Sequence, residues 1–206
     1  MTCKIELYAN GQWQEYSLYN SVEFDERLDE QLDTGRVQAI SDSIEPFPDF
    51  SMARLTVSDE TDAKEAYFYA VDSVEQRGTG YFIHTLELFE PTRLLMGRFI
   101  DGRKVTQPIT GDKKTLYTVL DELLQVAKLL EIGDSPEFTF DKTDALLKNT
   151  VSPEFYWSAG TSLFECLSDI GNVIDCMPRL TINSSKTAFN TIVFDRINEV
   201  RGVYEL

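Results

Sequence analysis

Side-chain catalysis needs a nucleophile beside a base, a pair of positioned carboxylates, or a cluster of metal ligands. The sequence is read first for those. Its one histidine, His84, lies in the alternating run Gly80-Tyr81-Phe82-Ile83-His84-Thr85-Leu86-Glu87-Leu88. One imidazole cannot supply a multi-histidine metal centre, and a strand histidine at a packed or surface position is the plainer reading. The cysteines are three, Cys3, Cys166 and Cys176. Their odd number and spacing fit neither a disulfide framework nor a zinc site, so they are read as reduced thiols. No Gly-x-Ser-x-Gly occurs, and Ser158-Ala159-Gly160 lacks the first glycine of a nucleophile elbow. Gly78-Thr79-Gly80 has no glycine or lysine after it at phosphate-loop spacing and reads as a turn.

The densest chemical feature is acidic. Between Ser21 and Gly35 stand Glu23, Asp25, Glu26, Asp29, Glu30 and Asp33, with Arg27 the one base. Two such carboxylates could serve a hydrolase, but the run lacks the spacing and the glycine of an EF-hand loop. Carboxylates this dense cannot be buried unpaired, because desolvation costs several kcal/mol each. The six acids are therefore expected to face solvent or a partner. No catalytic residue, metal ligand or cofactor is assigned, and the chain is read as a non-enzyme.

Composition bounds the rest. The 206 residues carry 35 acidic and 19 basic side chains, a net charge of −16, with 42% apolar and 12% aromatic residues. That is a globular composition with room for one large domain or two small ones. The charge is of the wrong sign for binding nucleic acid through phosphates, or for an anionic membrane surface. No apolar run approaches the roughly 20 residues of a membrane helix, and the N-terminus lacks a secretory signal, so synthesis in the cytoplasm is expected. An acidic DNA mimic or inhibitor stays open as an alternative function, and a carboxylate-based hydrolase as a second.

The elements that must position these residues fall into two kinds. Lys4–Tyr8 alternates, Asn10-Gly11 supplies a type I′ turn, and Trp13–Leu18 continues extended, which makes a hairpin. Residues 21–35 read as a strand end passing into a helical or irregular segment stopped by Gly35. Strands are expected at 36–41, 51–59, 65–72 and 80–90, with the two-proline stretch 45–50 as a loop. From Thr115 the apolar residues Leu116, Val119, Leu120, Leu123, Leu124, Ala127 and Leu130 step by threes and fours, an amphipathic helix ending before Gly133. Ser162 and Glu165 form a capping box at the head of a second helix, which Pro178 stops. Strands 179–183 and 189–195 close the pattern as a hairpin. The fold class is α+β: an antiparallel β-barrel-like part over residues 1–110, then a smaller α/β part over 111–206 carrying two helices and a terminal hairpin.

Several segments, in order, resemble the tail-tip or baseplate hub proteins of phages and prophages of Gram-positive bacteria. These form the N-terminal region of tail-associated lysins and are related in fold to the central baseplate hub of T-even phages. The segments are VEFDERLDEQLDTG, FSMARLTVSD, HTLELFEPTRLL, VTQPITGDKKTLYTVLDELL, VSPEFYWSAGTSLFECLSDIGNVIDCMPRL and IVFDRINE. Glu87–Thr92 looks like the family's Leu-x-Glu-Pro-Thr turn, and Asp175–Leu180 like its Asp-x-x-Pro-Arg-Leu stretch. The resemblance implies a tail-tube-like barrel and a virion structural protein at the tail tip or baseplate. It implies a homotrimer around a channel that DNA traverses without specific binding. The partners implied are other copies of the chain, the distal tail protein, and the tail tube or tape-measure protein; no membrane is involved. In longer members a peptidoglycan hydrolase follows, so the hub fold is expected to be incomplete at the C-terminus. On this reading Glu23, Asp25, Glu26, Asp29, Glu30 and Asp33 face the channel or a neighbouring subunit, where negative charge would let DNA slide.

Overall fold

The computed structural model describes residues 2–18, 23–25, 34–42, 47, 51–58, 63–76, 80–129 and 138–196. It divides into two compact units, Met1–Pro91 and Thr92–Leu206.

Among the described residues of the first unit, the regular elements are all strands. β1 (Thr2–Ala9) and β2 (Gln12–Leu18) form the hairpin, and the turn residues Asn10 (φ 52°) and Gly11 (φ 82°) take the positive angles a type I′ turn requires. β3 (Glu23–Asp25), β4 (Thr34–Ser41), β5 (Ser51–Ser58), β6 (Ala63–Gln76) and β7 (Phe82–Phe89) complete it. The sheet order is β2-β1-β5-β6-β7-β4-β3, and β2 also pairs with β4, which closes six antiparallel strands into a barrel. Both β2 and β3 pair with β4: Leu18 stands opposite Ala39 and Glu23 opposite Arg36. β6 is long because its first half pairs with β5 and its second with β7. Period-two alternation fills the lumen with Ile5, Leu7, Val37, Ala39, Ala53, Leu55, Phe68, Ala70, Leu86 and Leu88. Gly35 lies inside β4, opposite Phe24 and Leu88, while the segment expected before it, residues 26–33, lies outside the described residues.

The second unit is α+β. α1 (Arg93–Met96) is one turn. β8 (Phe99–Val105) pairs antiparallel with β10 (Phe155–Ser162) in a two-stranded ribbon. α2 (Leu116–Leu129) is the expected amphipathic helix; Leu116, Leu120 and Leu123 are fully buried, and the Thr115 hydroxyl accepts the Thr118 amide at 3.4 Å. β9 (Thr139–Phe140), α3 (Ala145–Asn149, capped by Asp144), α4 (Leu163–Asn172), β11 (Cys176–Ile182) and β12 (Phe189–Arg196) follow. The capping box of α4 is complete: Glu165 accepts the Ser162 amide at 2.8 Å, and the Ser162 hydroxyl accepts the Glu165 amide at 3.2 Å. β11, β12 and β9 make a three-stranded sheet in which β9 joins parallel. Pro178 is tolerated because β11 is an edge strand of that sheet.

The α+β class and the antiparallel barrel are as expected from sequence. The sequence pattern changes near residues 110–114, whereas the chain's contacts divide it after Pro91, since β8 pairs with β10 and belongs to the second unit. Neither ribbon strand is announced by alternation. Asp101-Gly102 and Ala159-Gly160 look like turns, yet Gly102 sits in mid-strand with φ 72°. A Cβ there would lie 2.9 Å from the Ala159 amide nitrogen, so only glycine fits that irregularity.

Candidate interaction surface

On the outside of the barrel, β1, β2, β5 and β6 carry an ionic and aromatic strip set by register. Glu6 stands opposite Glu15 on one side and Arg54 on the other, and Arg54 opposite Tyr67. The Arg54 guanidinium donates through Nε and Nη2 to Glu6 Oε2, each at 2.7 Å, and Lys4 Nζ bridges Glu6 (3.4 Å) and Glu15 (2.7 Å). Arg54 lies 4.9 Å from the centre of the Trp13 ring, which itself packs against Tyr8 and Tyr67 at 5.3 and 5.9 Å. These long side chains cover Glu6 so well that its side chain is only 8% exposed. The Arg54 hydrogen bonds hold the Glu6 carboxyl below its ordinary range against the opposing effect of burial.

Inside the barrel, His84 shares a side of β7 with Leu86 and Leu88. Its Nδ1 lies 2.6 Å from Asp72 Oδ2, with the two side chains 0% and 1% exposed. The same carboxylate oxygen accepts the Phe47 amide at 3.0 Å, and the Phe47 ring packs on both His84 (4.6 Å) and Tyr16 (4.9 Å). Asp72 Oδ1 has no hydrogen-bond partner among the described residues. A His–Asp pair is half of a hydrolytic triad, but this one is sealed from solvent and fastens Phe47 to the barrel. Of the packed and surface positions that the sequence left open for His84, it takes the packed one; its partner was not foreseen, because Asp72 pairs through β6–β7 register.

Among the described residues no group of three or more His, Cys, Asp or Glu could hold a metal ion, and no helix is long and apolar enough to cross a membrane. All three cysteines are free; Cys166 and Cys176 are buried, Cys3 half-buried. Burial pushes the Cys166 thiol up to about 12, with the Asp169 and Glu165 charges adding to it.

Of the six acids picked out by sequence, Glu23 and Asp25 lie in β3, opposite Arg36 and Thr34 of β4. Glu26, Asp29, Glu30 and Asp33 fall outside the described residues. The barrel unit, residues 1–91, holds 19 acids against 6 bases, a net of −13. Residues 92–206 hold 16 against 13, a net of −3. Nearly all of the chain's excess negative charge therefore belongs to the barrel.

The second unit presents a different surface. Phe99 on β8 is 56% exposed, Tyr156 on β10 is 77% exposed, and Ile109 in the following loop is fully exposed. Lys104 stands opposite Tyr156 and lies 4.8 Å over its ring. On the other side of the ribbon Phe155 and Trp157 are buried and stacked, and the Trp157 indole donates to Asp169 of α4 at 2.8 Å. The loop carrying Ile109 is tied at its base. Gln107 accepts the Lys114 amide at 2.8 Å and donates to the Ser152 carbonyl, while the Ser152 amide donates to the Lys114 carbonyl at 3.0 Å.

No family's sequence profile matches the chain, and no curated protein matches it by sequence. Solved structures do match its fold. A tail protein from Neisseria meningitidis MC58 aligns with TM-score 0.53 at 10% identity, over 94% of this chain and 50% of its own. The tail protein of prophage MuSo2 from Shewanella oneidensis aligns with TM-score 0.52 at 15% identity, over 94% of this chain and 52% of its own. A chain of the half-lidded Francisella PdpA–VgrG complex aligns with TM-score 0.50 at 12% identity, over 98% of this chain and 33% of its own. The chain thus spans about half the length of the tail proteins it matches. The chain, a closed six-stranded barrel followed by a small α/β unit, thus shares its fold with two tail proteins, one of them from a prophage.

Proposed function

We propose that the chain is a structural component of a phage or prophage tail tip or baseplate hub, joining tail tube to tip around an axial DNA channel. The observation that carries the proposal is the closed six-stranded barrel, with most of the chain's negative charge on that unit, in the fold of two phage-type tail proteins. A channel wall of that sign repels phosphates, so DNA slides through and is not held. Glu23, Asp25, Glu26, Asp29, Glu30 and Asp33 are the residues we assign to the channel or to a neighbouring subunit. The partners we assign are other copies in a trimer, the distal tail protein, and the tube or tape-measure protein. On this reading the chain works by assembly, and the His84–Asp72 pair, closed to solvent, serves packing. The test is gold-labelled antibody on purified particles. Label is expected at the end of the tail farthest from the head; label on the head, or particles lacking the chain, would defeat the proposal.

A further inference from the structure

The segment that contains β8 and the Ile109 loop has a charge opposite in sign to that of the whole chain. Residues 93–114 hold six bases (Arg93, Arg98, Arg103, Lys104, Lys113 and Lys114) against Asp101 and Asp112, a net of +4 in a chain of −16. Arg103 and Lys114 converge on Glu122 of α2, at 2.9 and 3.3 Å. Lys104 and Lys113 are exposed. Basic side chains thus accompany Phe99, Tyr156 and Ile109, which leave large apolar surfaces in water. Aromatic anchors and a cationic rim are the composition of a protein interface. The double tie at Gln107 and Ser152 holds the Ile109 loop in shape before anything binds, which lowers the ordering cost of docking.

The chain itself supplies charge of the complementary sign, in a barrel unit of net charge −13. We infer that the β8–β10 ribbon and the Ile109 loop dock on the acidic barrel unit of a second copy of this chain. The contact is head-to-tail: a basic, aromatic face of one copy meets an acidic face of the next, and the two faces are different surfaces. Opposite charge steers the encounter, and Ile109 and the exposed rings exclude water once the faces meet. This deepens the tail-component reading by naming a copy-to-copy surface, and its test is read on the isolated full chain, apart from any particle.

The experiment places the photo-crosslinker p-benzoylphenylalanine at Ile109, which is fully exposed and so replaceable without touching a core. Ordinary and nitrogen-15-labelled chains are mixed, so that mass spectrometry separates links between copies from links within one. Links from position 109 to residues 1–91 of a different copy are expected. Links only within one copy, links between copies only to residues 92–206, or none at any concentration would overturn the inference. The paired variant Lys104→Glu/Lys113→Glu, altered only at exposed positions, serves as the second measurement. Self-association followed by sedimentation should weaken by about tenfold or more, and wild-type association should weaken as salt is raised. Association unchanged by both would equally overturn it.

Discussion

At the scale of the residue, Glu6 and Asp72 show how an acidic chain buries carboxylates. Glu6 survives on the outer barrel wall because Arg54 and Lys4 bond to it and Trp13 roofs Arg54. Its folded pKa lies below the unfolded one. Its contribution is therefore complete above the unfolded carboxyl range and is lost as pH falls through the lower folded value. Glu6→Gln should cost about 1–3 kcal/mol in denaturant melts at neutral pH. The difference from wild type should shrink on acidification below about pH 4; a difference that grows with acid would refute the assignment. Asp72→Ala strips partners from both His84 and the Phe47 amide, and should cost about 3–5 kcal/mol. A loss under about 1 kcal/mol would mean the barrel interior is hydrated enough to replace them. Cys166, with its thiol at about 12 and no exposure, should resist iodoacetamide at pH 8 in the folded chain, while half-buried Cys3 reacts first. Labelling of Cys166 at the rate of a free thiol would show that α4 is not packed as described.

At the scale of the element, the most legible pieces were those whose local chemistry is self-sufficient. Asn10-Gly11, the leucine steps of α2 and the Ser162–Glu165 box each specify their element within a few residues, and all three are present. The ribbon was not legible, because β8 and β10 are held by partners some fifty residues apart and contain the glycine irregularities that local reading takes for turns. Glu122 shows the same limit. Spacing along α2 places it as a bystander, but β8 brings Arg103 and the α2 approach brings Lys114 onto it. Burial raises its pKa, yet these two cations outweigh that and leave it lowered. Leu120→Ala should thus cost about 2–5 kcal/mol, since a fully buried side chain leaves a cavity. Glu122→Ala should cost less, up to about 1 kcal/mol, because the network is a third exposed. Equal losses in urea melts would contradict the packing of α2. Ser162→Ala removes the cap of α4 and should cost about 1 kcal/mol.

At the scale of the whole molecule, the barrel's closure followed from pairings no single strand predicts: β2 with β4, and β6 shared between β5 and β7. What the sequence made plain was the class of object, an acidic antiparallel barrel with a helical companion and no catalytic cluster in its motifs. The candidate site was legible in charge more than in geometry. The run Glu23–Asp33 reads as a charged face; only Glu23 and Asp25 of it are among the described residues, in β3, and the barrel unit carries a net charge of −13 against −3 for the second unit. A map of the intact particle by cryo-electron microscopy tests the central claim most directly. This chain's barrel units are expected in a ring about the tail axis at the tube's far end, with acidic side chains toward the channel. Barrels in the head, off the axis, or absent from the particle would contradict it.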